Sequence, residues 1–346
     1  MARISQTLAV LFGALLACHV GAATDRQHEQ AENKPEKPVF VPLPASAPEP
    51  EDNRATDEKV ALGKQLFFDP RLSGDNKMSC ATCHIPEKGF GDGRTTAKGR
   101  DGKNLPRNSQ TVLNVGFHSS FFWDGRARSL EEQALVSITS PDEMHQDLDE
   151  LEKELQAVEG YARQFREVFN DPVTRGGIAR ALAAFQRTLI ARDSPFDRFL
   201  AGDEDAISDD AKRGFELFRG SAGCARCHHG PAMSDGKFYR LGASWRDNGR
   251  GEFTGKPEDD YRFRTPPLRN IAQTGPYMHD GSLATLQDVV DYYNRGGFHA
   301  YGIDPLIRPL GLEWDEQEAL IAFLRSLTSD SLQQLIAEAR GDGPSR

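Results

Sequence analysis

Cys80-Ala81-Thr82-Cys83-His84 and Cys224-Ala225-Arg226-Cys227-His228 are two copies of one pattern, and together they use four of the five cysteines in the chain. The pattern is the one covalent haem attachment needs. Two thiols add across the vinyl groups of one porphyrin, and the histidine that follows lies beneath the iron as its proximal ligand. A redox dithiol has no need of the trailing histidine, and a structural zinc site would show a second ligand pair nearby. Neither run has one. Two haem c groups are therefore expected, one on Cys80, Cys83 and His84, the other on Cys224, Cys227 and His228. His228 rather than His229 is the ligand because it directly follows the second cysteine.

Residues 1–23 read as an export signal. Arg3 supplies the positive start, residues 8–16 the apolar run, and Gly21-Ala22-Ala23 a small-residue cleavage site. The apolar run is too short for a transmembrane helix. Haem is attached to this motif outside the bacterial cytoplasm, so a periplasmic location is expected. Leu15-Leu16-Ala17-Cys18 loosely matches a lipidation site, which leaves open a lipid-anchored form through Cys18, the one cysteine no haem claims. Residues 24–56 are rich in Pro, Glu, Ala and Lys and read as a disordered linker. The formal net charge of −10 argues against nucleic acid and suits either a basic partner protein or plain solubility.

The rest of the chain repeats itself. Gly63-Lys64-Gln65-Leu66-Phe67 precedes the first haem motif and Gly214-Phe215-Glu216-Leu217-Phe218 the second, each with apolar residues at helical spacing. Residues 129–135, 148–158 and 177–190 also show helical periodicity, the last as a core helix, and residues 314–327 read as a closing helix that starts at a tryptophan. Strand-like alternation is sparse. A mainly α fold is expected, with two cytochrome-c-like haem domains related by duplication and long irregular loops. The first spans residues 57–200 and the second 201–346, with a boundary marked by Pro195 and residues 202–208.

Six further stretches, in order, resemble the bacterial di-haem cytochrome c peroxidase family and its MauG-type branch. They are Pro106-Arg107-Asn108-Ser109-Gln110-Thr111-Val112, Phe122-Trp123-Asp124-Gly125-Arg126, Leu130-Glu131-Glu132-Gln133-Ala134, Pro141-Asp142-Glu143-Met144, Arg264-Thr265-Pro266-Pro267-Leu268-Arg269-Asn270, and Thr274-Gly275-Pro276-Tyr277-Met278-His279-Asp280-Gly281. The resemblance covers roughly residues 57–330. It implies that the N-terminal haem meets hydrogen peroxide and the C-terminal haem transfers electrons. Trp123 matches the tryptophan between the haems. Glu143 and Gln133 match the distal pocket, where a partly desolvated carboxylate moves a proton between the peroxide oxygens and the amide orients peroxide or water. Asn108, Thr274 and Pro276 match the positions that hold a calcium ion through oxygen ligands.

Two departures from the peroxidase pattern set the expected chemistry. The histidine that caps the resting peroxidatic iron is missing: residues 85–117 contain none, and the matching place is near Arg100, with His118 and His145 the nearest alternatives. In place of the peroxidases' methionine, the position 14 after His279 is Tyr293, as in MauG-type enzymes. A thioether favours Fe(II) and a phenolate the higher oxidation states. Tyr292 is adjacent, and Met278 is a competing ligand. A third difference is Ala222, which stands where a MauG that matures a tryptophan-derived quinone has a surface tryptophan.

With an open first haem and a tyrosine on the second, peroxide is expected to oxidise the two haems as a pair, which then draw electrons over a long range from a tryptophan or tyrosine of a partner protein. The alternative is a cytochrome c peroxidase fed by a small cytochrome or cupredoxin. A plain electron carrier, with both irons six-coordinate, is the reading from another class, and the Gln133/Glu143 pocket argues against it.

Overall fold

The computed structural model describes residues 38–298 and 302–341, so the signal segment, Cys18 and residues 24–37 lie outside the described residues. The described residues form helices joined by long irregular stretches, and among them one short antiparallel pair, Phe238–Tyr239 against Phe263–Arg264.

Two helix crossings organise it, and they are built alike. In the first, helix Asp57–Phe67 crosses helix Arg175–Thr188; in the second, Asp209–Arg219 crosses Trp314–Arg325. Each of the first three starts at a Thr or Ser whose side chain accepts a backbone N–H of the first turn: Thr56 from Lys59, Thr174 from Gly177 and Ser208 from Ala211. At the crossing points Gly63 lies on the carbonyl of Ala181, and Gly214 on that of Ala319. A Cβ at either glycine would come within 1.9 Å of the opposing oxygen. One turn on, Phe67 meets Phe185 with ring centroids 5.3 Å apart, and Phe218 meets Phe323 at 4.9 Å. The repeat read from the glycine-led helices therefore extends to their partners. Residues 177–190, which read only as a core helix, hold in the first half the place that the closing helix holds in the second.

Two hydrophobic cores result, within one unit that begins at Pro38. One gathers Leu62, Leu66, Phe67, Leu182, Phe185 and their neighbours; the other gathers Phe196, Phe215, Phe218, Leu320 and Phe323. The chain ends do not respect the expected boundaries. Leu332, Ile336 and Ala339, from helix Leu332–Arg340, pack into the first core.

At the other end, residues 38–56 were expected to belong to the disordered linker, and this part of the expectation is corrected. Phe40 sets its ring edge-on against Phe215 at 5.0 Å, Leu43 and Ala47 are buried, and the Leu43 N–H donates to Asp197 Oδ1 at 3.0 Å. Arg269, buried and paired with Asp197 at 2.6 Å, donates to the Val41 carbonyl at 3.1 Å. Few apolar residues suffice here because the prolines already limit the backbone freedom that docking removes.

Candidate functional site

The two cysteine–histidine motifs open onto one cavity of about 1080 Å³, which also reaches Trp123, Gln133, Glu143 and Tyr293. The first motif forms the one-turn helix Cys80–Cys83 and the second the 3-10 turn Cys224–Arg226, so in each the two sulfurs share a face. All four cysteines are free. Burial pushes the Cys80 and Cys224 thiols up to about 12, and Cys83 and Cys227 up to about 11. Such surroundings suit an uncharged thioether and disfavour a thiolate metal site.

His84 and His228 each point Nδ1 at a backbone oxygen, that of Phe90 and that of Met233, both at 3.1 Å. Engaging Nδ1 leaves Nε2 for a metal and fixes the ring's orientation. The cavity wall also carries the polar atoms His118 Nδ1 and Nε2 and His279 Nε2, which are buried and have no hydrogen-bond partner among the described residues. Buried polar atoms of this kind normally have a partner. Free sulfurs, oriented imidazoles and unpaired donors together fit two haem c groups in this cavity.

On the first motif's side, helix Leu130–Thr139 presents Gln133 and, one turn later, Ser137. Gln133 Nε2 donates to Ser137 Oγ at 3.0 Å, and Ser137 also hydrogen-bonds the Glu143 carboxyl. Desolvation raises the pKa of Glu143, against the opposing pull of Ser137 and Arg126. Sequence reasoning missed Ser137; its place four residues after Gln133 on a helix was the available signal. Arg100, at the place of the missing histidine, is paired with His145 and lies off the cavity wall, whereas His118 is on it. Burial lowers the pKa of His118 well below its usual value, so the ring stays neutral.

On the second motif's side, the two adjacent tyrosines part company. The Tyr292 hydroxyl donates to the Leu241 carbonyl at 2.6 Å, while Tyr293 faces the cavity with its phenol pK raised by burial and by the nearby Tyr292, Cys224 and Cys227. Met278 also lines the cavity.

Trp123 is buried and donates Nε1 to the Asn108 carbonyl at 3.0 Å; the Asn108 N–H in turn donates to the His279 carbonyl at 2.7 Å. The Trp123 and His279 rings lie edge to face with centroids 6.5 Å apart, and His279 stacks on Phe263 at 3.7 Å. The two residues hold matching places in the duplicated halves. Phe122 and Met278 before them, and Gly125 and Gly281 two residues after, all have positive φ, and small bridges close both loops, Phe121 to Ala127 and Tyr277 to Leu283. Phe122-Trp123-Asp124-Gly125 and Met278-His279-Asp280-Gly281 are a second repeat, and aligning them would have singled out His279. Asn108, Thr274 and Pro276 line the same cavity. The Asn108 amide nitrogen is spent on the Arg94 carbonyl at 2.8 Å, which leaves its side-chain oxygen for another partner.

Comparison with known proteins agrees with this geometry. Residues 57–205 match the family described as di-haem cytochrome c peroxidase. The chain is 46% identical over 292 residues to methylamine utilization protein MauG of Methylorubrum extorquens (strain AM1), covering 83% of each chain. It is 40% identical over 333 residues to cytochrome-c peroxidase IdrP1 of Pseudomonas sp. (strain SCT), covering 86% of this chain and 88% of that protein. Among solved structures, a MauG-like protein associated with microbial copper homeostasis superposes with a TM-score of 0.78 at 32% identity, covering 91% of this chain and 99% of the other.

Proposed function

This chain belongs to the di-haem cytochrome c peroxidase and MauG family, and from that premise we propose that it works in the MauG manner, using hydrogen peroxide to oxidise a tryptophan or tyrosine of a partner protein at long range. As a member it is a haem-dependent oxidoreductase with two c-type haems, acting with peroxide and a protein redox partner. The observation that carries the finer reading is Tyr293, whose phenol faces the cavity beside Cys224 and Cys227 while the Tyr292 hydroxyl is tied to the Leu241 carbonyl.

His84 and His228, with their paired cysteines, would each hold a haem c, and the bound haems would supply single-electron chemistry toward peroxide, on the His84 side in this reading. The protein supplies protons and positions. Glu143, held protonated to higher pH than an ordinary carboxyl, can hand a proton to the outer peroxide oxygen and recover one from the inner. Ser137 holds Gln133 beside it, so the amide can orient peroxide or water. Tyr293 would offer its phenol oxygen to the iron of the haem held by His228. Trp123, buried on the wall of the shared cavity and fixed through Nε1, would carry electrons between the haems. Arg100, engaged with His145 away from the cavity, supports an open first haem. The Asn108 side-chain oxygen, with the Thr274 and Pro276 backbone, would hold calcium.

We place the protein in the periplasm, from its export signal and haem motifs; no helix among the described residues is long and apolar enough to cross a membrane. Met278 on the cavity wall favours the second reading, a peroxidase with a thioether ligand fed by a small redox protein.

EPR of the diferric protein, before and after one equivalent of peroxide and without reductant, separates the two. One high-spin and one low-spin signal, both lost on mixing, are expected, and a shift of the high-spin signal on treatment with a calcium chelator is expected from the calcium site. Two low-spin signals that persist until the protein is half-reduced would instead mean a capped iron, with His118 as the capping ligand within reach, and would sink the MauG-type reading.

A further inference from the structure

An enzyme that oxidises a partner at a distance needs a route from the cavity to its surface, and at the position where a MauG-type tryptophan would stand this chain has Ala222, which is buried. The chain has three tryptophans. Trp123 is buried on the cavity wall. Trp314 is 65% exposed, is off the cavity wall and has no aromatic ring against it among the described residues. Trp245 differs from both. It is 39% exposed, and its ring meets that of Tyr261 edge-on with centroids 4.9 Å apart. Tyr261 lines the cavity together with Cys227 and Tyr239, and Trp245 itself does not. One ring faces inward, the other outward, and they touch.

The segment that carries Trp245 is pinned close by. Asp247 takes two hydrogen bonds from Arg107, at 2.6 and 2.8 Å, the Asn248 amide donates to Asp260 at 2.9 Å, and the Tyr261 N–H donates to the Asn248 carbonyl at 2.9 Å. The contact therefore does not depend on a free loop.

We propose that Tyr261 and Trp245 form the exit by which oxidising equivalents leave the haem pair, and that the partner is oxidised at Trp245. This rests on the function proposed above. The Arg240 guanidinium lies over the Tyr261 ring with its central carbon 5.6 Å from the centroid, and a cation there makes removal of an electron from that ring harder. Tyr261 thus serves as a bridge, and the oxidising equivalent rests on the indole, which meets water and can release its N–H proton. Reduction of one peroxide to two waters consumes two electrons and two protons. Two successive one-electron oxidations of Trp245 supply both electrons and both protons, and each time a partner Trp or Tyr side chain restores the indole by giving up one electron and one proton. Without a partner the indole is the terminal donor: it adds one water and releases two electrons and two protons, a net gain of one oxygen, ending as a hydroxytryptophan.

The test is to treat the holoprotein with a few equivalents of hydrogen peroxide, with no donor, and to map oxygen-adduct masses by peptide mass spectrometry while following the Soret band. Hydroxylation is expected at Trp245 ahead of Trp314, although Trp314 is the more exposed. Tyr261→Phe, by changing the bridge, should cut the Trp245 adduct several-fold and prolong the oxidised Soret state, while W314F changes neither. Adducts that follow exposure, or a Trp245 adduct indifferent to Y261F, would overturn the exit with the function left standing. A Soret band that peroxide alone does not alter would overturn both.

Discussion

Glu143 shows how one residue is tuned by what surrounds it. Its side chain is half-buried on the cavity wall, desolvation raises its pKa, and the Ser137 hydroxyl and Arg126 only partly offset that. The consequence for stability has a definite sign. A carboxyl whose folded pKa lies above its unfolded value costs stability as pH rises beyond that unfolded value, about 4.3 for glutamate, and the cost is complete above the folded pKa. Glu143→Gln should therefore raise the melting temperature at neutral pH, with the difference vanishing near pH 4. The same variant should slow the peroxide-driven loss of the high-spin signal by about 10²–10⁴-fold, the usual worth of a positioned acid–base group. Tyr293→Met addresses the other end of the cavity. Replacing a phenol with a thioether should raise the reduction potential of the second haem by a clear fraction of the roughly 0.8 V that axial ligands span. Spectroelectrochemical titration measures it, and an unchanged potential would mean that Tyr293 is not the ligand.

At the scale of elements, the haem motifs hang on two glycine-centred crossings. Gly63 against Ala181 and Gly214 against Ala319 bring helix backbones into contact that any Cβ would break. Gly63→Ala should cost about 1–3 kcal/mol of overpacking strain, or more because the clash is with backbone that cannot swing aside; Gly214→Ala should do the same in the other half. Thermal melts of the two variants check this, and a wild-type melting temperature would contradict the crossing geometry. These helices were legible in the sequence because apolar spacing and glycine position are local properties. Their partners carry a repeat too, Ala181-Leu182-Ala183-Ala184-Phe185-Gln186-Arg187 against Ala319-Leu320-Ile321-Ala322-Phe323-Leu324-Arg325, five identities in seven; it went unread because neither stretch leads into a haem motif, and only the crossing shows that the two hold the same place.

Across the whole molecule, the chain ends tie the halves together. Phe40 packs on the second core while Ala47 reaches Gly116 in the first half, and helix Leu332–Arg340 returns to the first core. Asp197 is the joint at one end: it holds the Arg269 guanidinium at 2.6 Å and the Leu43 N–H at 3.0 Å. Asp197→Ala leaves Arg269 buried and unpaired, which should cost about 3–5 kcal/mol. It should also release residues 38–47 to protease, as limited digestion would report; resistance equal to wild type would deny the joint its role. The segment read as linker because its composition is that of unfolded chain, and composition does not record that Phe40 meets Phe215, Leu43 meets Asp197 and Ala47 meets Gly116, all distant in sequence. By itself the sequence determined that two c-type haems belong to the chain, its helical character and its family, because thiol spacing, helical period and ordered motifs are properties of short stretches. Only the tertiary structure decided which of two adjacent tyrosines turns to the cavity, that Ser137 joins Gln133 to Glu143, that Trp123 and His279 meet, and that Trp245 touches Tyr261. Those pairings are set by how distant segments pack, and packing is not written in any one of them.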